Sequence, residues 1–337
     1  MARVTARFTL FPSMGEYQAY DDHVYDAFDA ADDRHRAYRD AVRAAAPGRV
    51  VVDIGTGRDA LWAIEAAHAG ARHVYAIESS SSVAAQATRT VASAGLTDKV
   101  TVLPGHSQDQ SLPVRAEVCV SEIVGNIAGA EGMLPVLADA RARLCTRDCV
   151  WIPFRVQTWA AAVDLSEAGE LTLAPESLPY LHRIFASAGA PFDPRLCLAG
   201  PAEDALISTC AAVESATFDV DASTCETPSV DLRVGVGATM TGVLLWTRVA
   251  VSARGGREVD ALAGDTRAWA PVYVPLPSPL PVTPGDRVPL ALTSTTSDDG
   301  IHPDYRLALG GEPVWRSPHH GGPFRGSPFY RRLFPPA

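Results

Sequence analysis

From Val50 to Pro153, short apolar runs alternate with alanine-rich stretches that carry helical spacing. Val50–Ile54, His73–Ile77, Val100–Leu103, Glu117–Val120 and Cys149–Ile152 read as strands. The helices predicted around them are Ala60–Ala69, Val83–Ala94 and Met133–Leu144. Strand and helix in this rhythm imply a parallel sheet covered on both faces. Upstream, Tyr20–Ala46 is rich in charge and aromatics at helical spacing, and Pro47-Gly48 ends it. After Pro153 the texture changes. Proline and glycine become frequent, and Gly242–Val251 and Ala270–Val274 read as strands of an antiparallel sheet or barrel. A helical stretch, Leu178–Phe192, interrupts this second half, and Gly310–Ala337, dense in Gly, Pro, Arg and aromatics, reads as an irregular segment ordered by docking.

The 337 residues suggest two domains, each able to bury a core. The expected fold class is α/β, with a Rossmann-like front and a β-barrel-like back. The expected division is 1–46 for covering helices, 47–153 for the Rossmann-like domain, 154–309 for the β-rich domain and 310–337 for the tail. The apolar fraction of 47% and charged fraction of 20% are those of an ordinary soluble globular protein. No apolar run approaches the roughly 20 residues of a membrane helix, and Met1–Tyr20 has no apolar stretch of the secretory kind. The six cysteines are scattered, in a spacing that fits neither a disulfide framework nor a zinc site. Buried reduced thiols in the cytoplasm are the expectation. A net charge of −10 argues against a nucleic-acid partner and is compatible with a cationic substrate. Lys99 is the sole lysine among 29 basic residues, a bias that reads as a GC-rich genome rather than mechanism.

The first strand of the sheet, ending Asp53-Ile54, runs directly into Gly55-Thr56-Gly57. Two glycines at a strand's carboxyl end let the backbone turn tightly and let a ligand come close. Glu78 stands 23 positions after Gly55, at the tip of the next strand, where a carboxylate can accept both ribose hydroxyl protons of an adenine nucleoside. This unit alone does not choose between NAD and S-adenosylmethionine. A dinucleotide fingerprint wants a third glycine beside the pyrophosphate. Here Arg58-Asp59 follow, and Asp59 would repel a pyrophosphate while tolerating the cationic groups of S-adenosylmethionine. The balance favours S-adenosylmethionine.

The fourth strand ends in Ser121-Glu122, and Glu131 follows with eight residues between the two glutamates, just before Met133-Leu134. This hairpin resembles the "double-E" loop of the protein arginine methyltransferases, which are class I S-adenosylmethionine-dependent enzymes. The resemblance extends to Asp53–Gly57, Ala69–Ser79 and Ile152-Pro153, and upstream to Val24–Phe28, Arg34 and Tyr38. It is close over Tyr20–Pro153 and faint beyond, where Leu244-Leu245-Trp246 and Pro284-Gly285-Asp286 are similar to the family's barrel. It implies a class I methyltransferase domain, a homodimer, and Glu122 and Glu131 as catalytic residues. It further implies cofactor contacts from Tyr20, Arg34, Asp53, Gly55, Gly57, Glu78, Ser79, Ser107 and Gln108, with Arg34 on the cofactor carboxylate. Substrate contacts would come from Tyr25, Phe28, Trp269 and the two glutamates, with no metal. Several positions depart from the family pattern: Asp59 for a glycine, Ile123 for an aromatic, Gln108 for an acid, and Arg267-Ala268-Trp269 where the barrel loop carries Thr-His-Trp. Phe28 stands where members making symmetric or monomethyl product have phenylalanine.

The chemistry suits two carboxylates. A guanidinium, with a pKa above about 12, arrives charged and poorly nucleophilic. Paired charge-assisted hydrogen bonds fix its plane and draw charge from one terminal nitrogen. They also offset its repulsion from a sulfonium, about 4 kcal/mol per unit-charge pair near 4 Å at an effective dielectric near 20. The expected activity is therefore guanidino N-methylation. The altered barrel loop and the compositional bias favour free L-arginine over a protein-borne arginine. The alternatives are a protein arginine methyltransferase and a catalytically inactive module that keeps the fold. His319-His320, with no acidic neighbour in sequence, reads as a solvated pair.

Overall fold

The computed structural model describes residues 8–13, 31–200, 202–218, 223–253, 255 and 258–336. Tyr20, Tyr25 and Phe28 lie outside the described residues. The chain enters through a short strand, β1 (Thr9–Pro12), and a helix, α1 (Asp33–Ala45). There follow β2 (Val50–Ile54), α2 (Leu61–His68), β3 (His73–Glu78), α3 (Ser81–Ser93), β4 (Val100–Pro104), β5 (Ala116–Ser121), α4 (Met133–Arg143) and β6 (Cys145–Ile152). These five strands, β2 to β6, form one parallel sheet in the order β4-β3-β2-β5-β6. Each residue of β2 is buried, as a central strand covered by helices requires. The strand order reverses between β2 and β5. Ligands of open α/β sheets bind outside the carboxyl ends of the strands at such a switch point. Residues Gly55–Gly57 leave β2 there and Glu122 leaves β5 there.

α1 begins where the Asp32 side chain accepts from the His35 amide at 2.9 Å. Its buried positions are Arg34, Tyr38 and Val42, spaced by four, so one face packs inward and an arginine sits on it.

Beyond β6 the chain is mainly antiparallel. β7 (Arg155–Val163) pairs with Ala211–Phe218 on one side and with the long strand Ala238–Ala250 on the other. The sheet continues through Val272–Val282 and Leu196–Ala199 to β1. A second sheet joins Val230–Arg233, Arg287–Thr296, Pro303–Leu309 and Glu312–Ser317. Apolar faces of the two sheets enclose Met240, Val243, Leu245, Leu292 and Leu307, giving the barrel-like back its own core. A Rossmann-like domain followed by a β-barrel-like domain is thus what the chain forms.

Two segments differ from the sequence expectation. Thr9–Pro12, assigned to covering helices, is a strand of the barrel-like domain, paired Thr9↔Ala199 through Pro12↔Leu196. The tail, assigned as irregular, contributes the strand Glu312–Ser317 and a helix, Pro328–Leu333, capped by Ser327. Local composition there favours irregular backbone. At Glu312–Ser317, ladder hydrogen bonds to the neighbouring strand Pro303–Leu309 override it. The helical reading of Leu178–Phe192 corresponds to a helix at Leu178–Ala188, ended by Gly189 in the left-handed region. Among the described residues no helix is long and apolar enough to cross a membrane. Cys119, Cys145, Cys149 and Cys197 are buried.

Candidate functional site

The glycine turn after β2 is built on backbone that L side chains rarely adopt. Gly55 and Gly57 have φ of +77° and +66°. A Cβ on Gly55 would lie 2.7 Å from Cγ2 of Ile123, so only glycine lets the β5 loop close against the β2 loop. Beneath the turn, Asp53 is wholly buried and accepts from the Thr56 hydroxyl at 2.6 Å. Burial pushes its carboxyl up to about 7, against the Thr56 hydroxyl and the Ala63 amide, while Glu122 and Glu78 push it further up.

Glu78, at the tip of β3, is already oriented. One carboxylate oxygen accepts from the Gly57 amide at 3.0 Å and the other from the Ser80 amide at 2.9 Å. Ser79 beside it is exposed. Ser107 is buried in a single 3₁₀ turn after β4, held by Arg143, which donates to its carbonyl at 2.9 Å, and Gln108 is partly buried. Asp59, at the position of the third glycine, pairs with Arg58 at 2.8 Å, which offsets its charge.

The first glutamate sits in a tight polar cage. One oxygen of Glu122 accepts from Nη1 of Arg34, and the other accepts from Nε1 of Trp62 at 2.7 Å. The arginine side chain is wholly buried and that of Glu122 is 8% exposed, so the pair is shielded from solvent. Tyr38 stacks on Trp62 with ring centroids 5.2 Å apart, and burial with Glu122 nearby holds the Tyr38 phenol well above its usual range. Trp62, on α2, carried no sequence signal: it is one apolar residue in an alanine-rich helix.

The second glutamate closes a compact loop. A Cβ on Gly125 would meet the Ile127 carbonyl at 2.8 Å, the Ala130 Cβ at 3.0 Å and the Glu131 Cγ at 3.6 Å. Glycine there brings the two limbs of the hairpin together. The loop is held from below by the barrel-like domain. The Ala128 amide donates to Oγ1 of Thr158 at 2.9 Å, and that hydroxyl donates to Glu214 at 2.6 Å. Glu214, only 2% exposed, also accepts from the Gly129 amide at 3.3 Å and the Tyr305 hydroxyl at 2.9 Å. Thr247 donates to the carbonyls of Gly125 and Asn126 at 2.8 and 3.1 Å. The carboxylate that fixes the hairpin is 85 residues from the amide it accepts. Sequence reasoning missed it, because a lone glutamate in a strand reads as a solvated face.

Trp269, expected at a substrate entrance, is 1% exposed and belongs to the core of the Rossmann-like domain. His319, expected to be solvated, is 5% exposed. The turn after Thr296 brings Asp299 to 3.4 Å from its Nε2.

The chain matches no protein-family model. Segments of it match curated proteins. One of 100 residues is 42% identical to the "Probable histone-arginine methyltransferase 1.3" of Arabidopsis thaliana, covering 29% of this chain and 18% of that protein. Another, of 122 residues, is 37% identical to "Protein arginine N-methyltransferase PRMT10" of Oryza sativa subsp. japonica, covering 36% and 32%. A third, of 145 residues, is 33% identical to "Protein arginine N-methyltransferase 7" of Rattus norvegicus, covering 39% and 21%. Those segments are homologous to protein arginine methyltransferases. The chain spans less than a third of the length of each of these three relatives. The fold likeness is wider. The Trypanosoma brucei PRMT1 enzyme–prozyme heterotetrameric complex with AdoHcy gives a TM-score of 0.67 at 20% identity, over 87% of this chain and 94% of that one. Arabidopsis thaliana protein arginine methyltransferase 10 gives 0.65 at 21%, over 89% and 97%.

Proposed function

We propose that this chain is an S-adenosylmethionine-dependent methyltransferase acting on an arginine guanidino nitrogen. One observation carries the reading. At the switch point of the sheet, a positive-φ glycine turn with an oriented carboxylate, Glu78, lies against a second loop bearing a caged carboxylate, Glu122. The residues fit the cofactor. The glycine turn keeps bare backbone at the switch point, Glu78 can turn from the Gly57 amide to ribose hydroxyls, and buried Arg34, which holds Glu122, is the cation for a carboxylate. When bound, the cofactor supplies an electrophilic methyl group. Asp53 acts through the turn it braces, by way of Thr56, rather than by reaching the nucleoside.

Glu122 keeps lone pairs free on both oxygens after accepting from Arg34 and Trp62, because a carboxylate has about four acceptor sites. Its orientation is fixed, and the remaining sites would receive a guanidinium together with Glu131. The pair would align one terminal nitrogen and offset substrate charge. The loop held by Thr158, Glu214 and Thr247 keeps that geometry.

The relatives are named as protein and histone arginine methyltransferases, which supports a protein-borne arginine over the free L-arginine expected from the altered barrel loop. The Trypanosoma neighbour is a heterotetramer, which supports an oligomer in this family of folds. The test sets an arginine-rich peptide beside free L-arginine, each with S-adenosylmethionine. Methylated peptide with free arginine untouched is the expected result.

A further inference from the structure

The turn Ser297–His302 joins the strands Arg287–Thr296 and Pro303–Leu309, and His319 follows the next strand, Glu312–Ser317. Antiparallel pairing, Thr296↔Pro303 and Tyr305↔Ser317, folds these segments together. One donor atom each from Asp299, His302 and His319 lies within 4.8 Å of the others. Asp299 is locked in place. Its Oδ1 accepts from the Ser297 hydroxyl at 2.8 Å and from the amides of Ile301 and His302 at 2.8 and 2.9 Å. Its Oδ2 is turned to the imidazoles, 2.5 Å from Nδ1 of His302 and 3.4 Å from Nε2 of His319. The two rings lie parallel, centroids 4.0 Å apart. His319, 5% exposed, presents Nε2 to Asp299, so that nitrogen is the one turned into the cluster.

We propose that Asp299, His302 and His319 form a site for a divalent transition-metal ion, zinc being the probe, that stiffens the turn on which the catalytic hairpin rests. Two imidazoles and one carboxylate are the ligand types of zinc, and not the all-oxygen set that calcium or magnesium takes. Bonds of about 2.0 Å in a tetrahedron set ligand atoms about 3.3 Å apart, so the Asp299–His319 edge already has the required length. The Asp299–His302 edge, 2.5 Å, must open on binding, and one of the two parallel rings must tilt so that both nitrogens face a single ion. Asp299 is 27% exposed on its side chain, giving an ion and its water a path. The turn reaches the hairpin directly. A Cβ on Gly132, the residue after Glu131, would lie 2.5 Å from Cγ2 of Ile301 and 3.1 Å from its carbonyl. From the adjoining strand, Tyr305 donates to Glu214, which holds Gly129.

The test uses the full chain, stripped with a chelator, and titrated with zinc by calorimetry and with cobalt by visible absorption. One ion should bind per chain, and cobalt should give the intense visible bands of a four-coordinate site. Asp299→Asn and His302→Gln should each weaken zinc by at least about a hundredfold. His320→Ala, whose ring is 63% exposed and faces Asp298, should bind as the parent does. The cobalt spectrum is read on the unaltered protein, so a variant that fails to fold leaves the question answered. No stoichiometric binding, octahedral cobalt alone, or binding that survives Asp299→Asn and His302→Gln in folded protein overturns the site.

Discussion

The guanidinium of Arg34, on α1, donates to the carboxylate of Glu122, at the end of β5, with both side chains shielded from solvent. The contact ties a helix 88 residues away to the loop that leaves the switch point. Removing one partner of a buried pair strands the other charge, which costs about 3–5 kcal/mol, whereas removing both costs less. Arg34→Met should therefore lower stability by about that amount, and adding Glu122→Gln should restore part of it. Urea denaturation of the single and double variants checks this. Additive losses would mean that the two residues are energetically independent.

Asp53 gives stability a pH dependence of a defined sign. Its folded carboxyl titrates at about 7 against a reference of 3.8, so between those values the folded state holds a proton that the unfolded state has lost. Stability then falls as pH rises from about 4 to about 7 and levels above it, by at most about 1.4 kcal/mol per pH unit from this group. Asp53→Asn keeps an acceptor for Thr56 and should remove that fall. Denaturation midpoints of parent and variant, compared across this range, should converge toward high pH if the parent starts the more stable. A constant difference would contradict the assignment.

Glu214 is expected to act on the reaction through the hairpin alone. Glu214→Gln keeps its size but replaces one acceptor oxygen with an amide, disturbing the bonds from Thr158, Tyr305 and Gly129. A displacement of the hairpin by about 1 Å can cost about a hundredfold in rate. A drop in kcat with unchanged cofactor affinity is the expected outcome, measured by steady-state assay and calorimetry on the same preparation. Equal loss of cofactor binding would show that the residue supports the fold generally.

Much of this arrangement was legible in the sequence where neighbours in the chain are neighbours in space. β2 to β5 are apolar runs ending at glycine or acid, and their parallel order follows from the helices between them. The glycine turn, Glu78 and the glutamate hairpin are local motifs, readable from spacing. What stayed hidden is held by distant pairings. Thr9–Pro12 is four residues whose partner strand begins at Leu196. Glu214, Thr158 and Tyr305 meet only because three strands align, and no spacing in the chain announces it. The same holds for His319, whose acidic partner comes from a turn 20 residues earlier.

The central claim is that Glu122 and Glu131 polarise a guanidinium. Glu122→Gln and Glu131→Gln preserve shape and remove one charge each, and the measurement is the single-turnover rate of methyl transfer to an arginine-rich peptide at saturating S-adenosylmethionine. Each variant should lose at least about a hundredfold, roughly 2.7 kcal/mol in barrier. The double variant should be scarcely worse than the slower single one, because the two carboxylates act as a unit, and cofactor affinity should hold in Glu131→Gln. Near-parent rates in both single variants would make the hairpin an ordinary loop and end the guanidinium reading, even with methyl transfer intact.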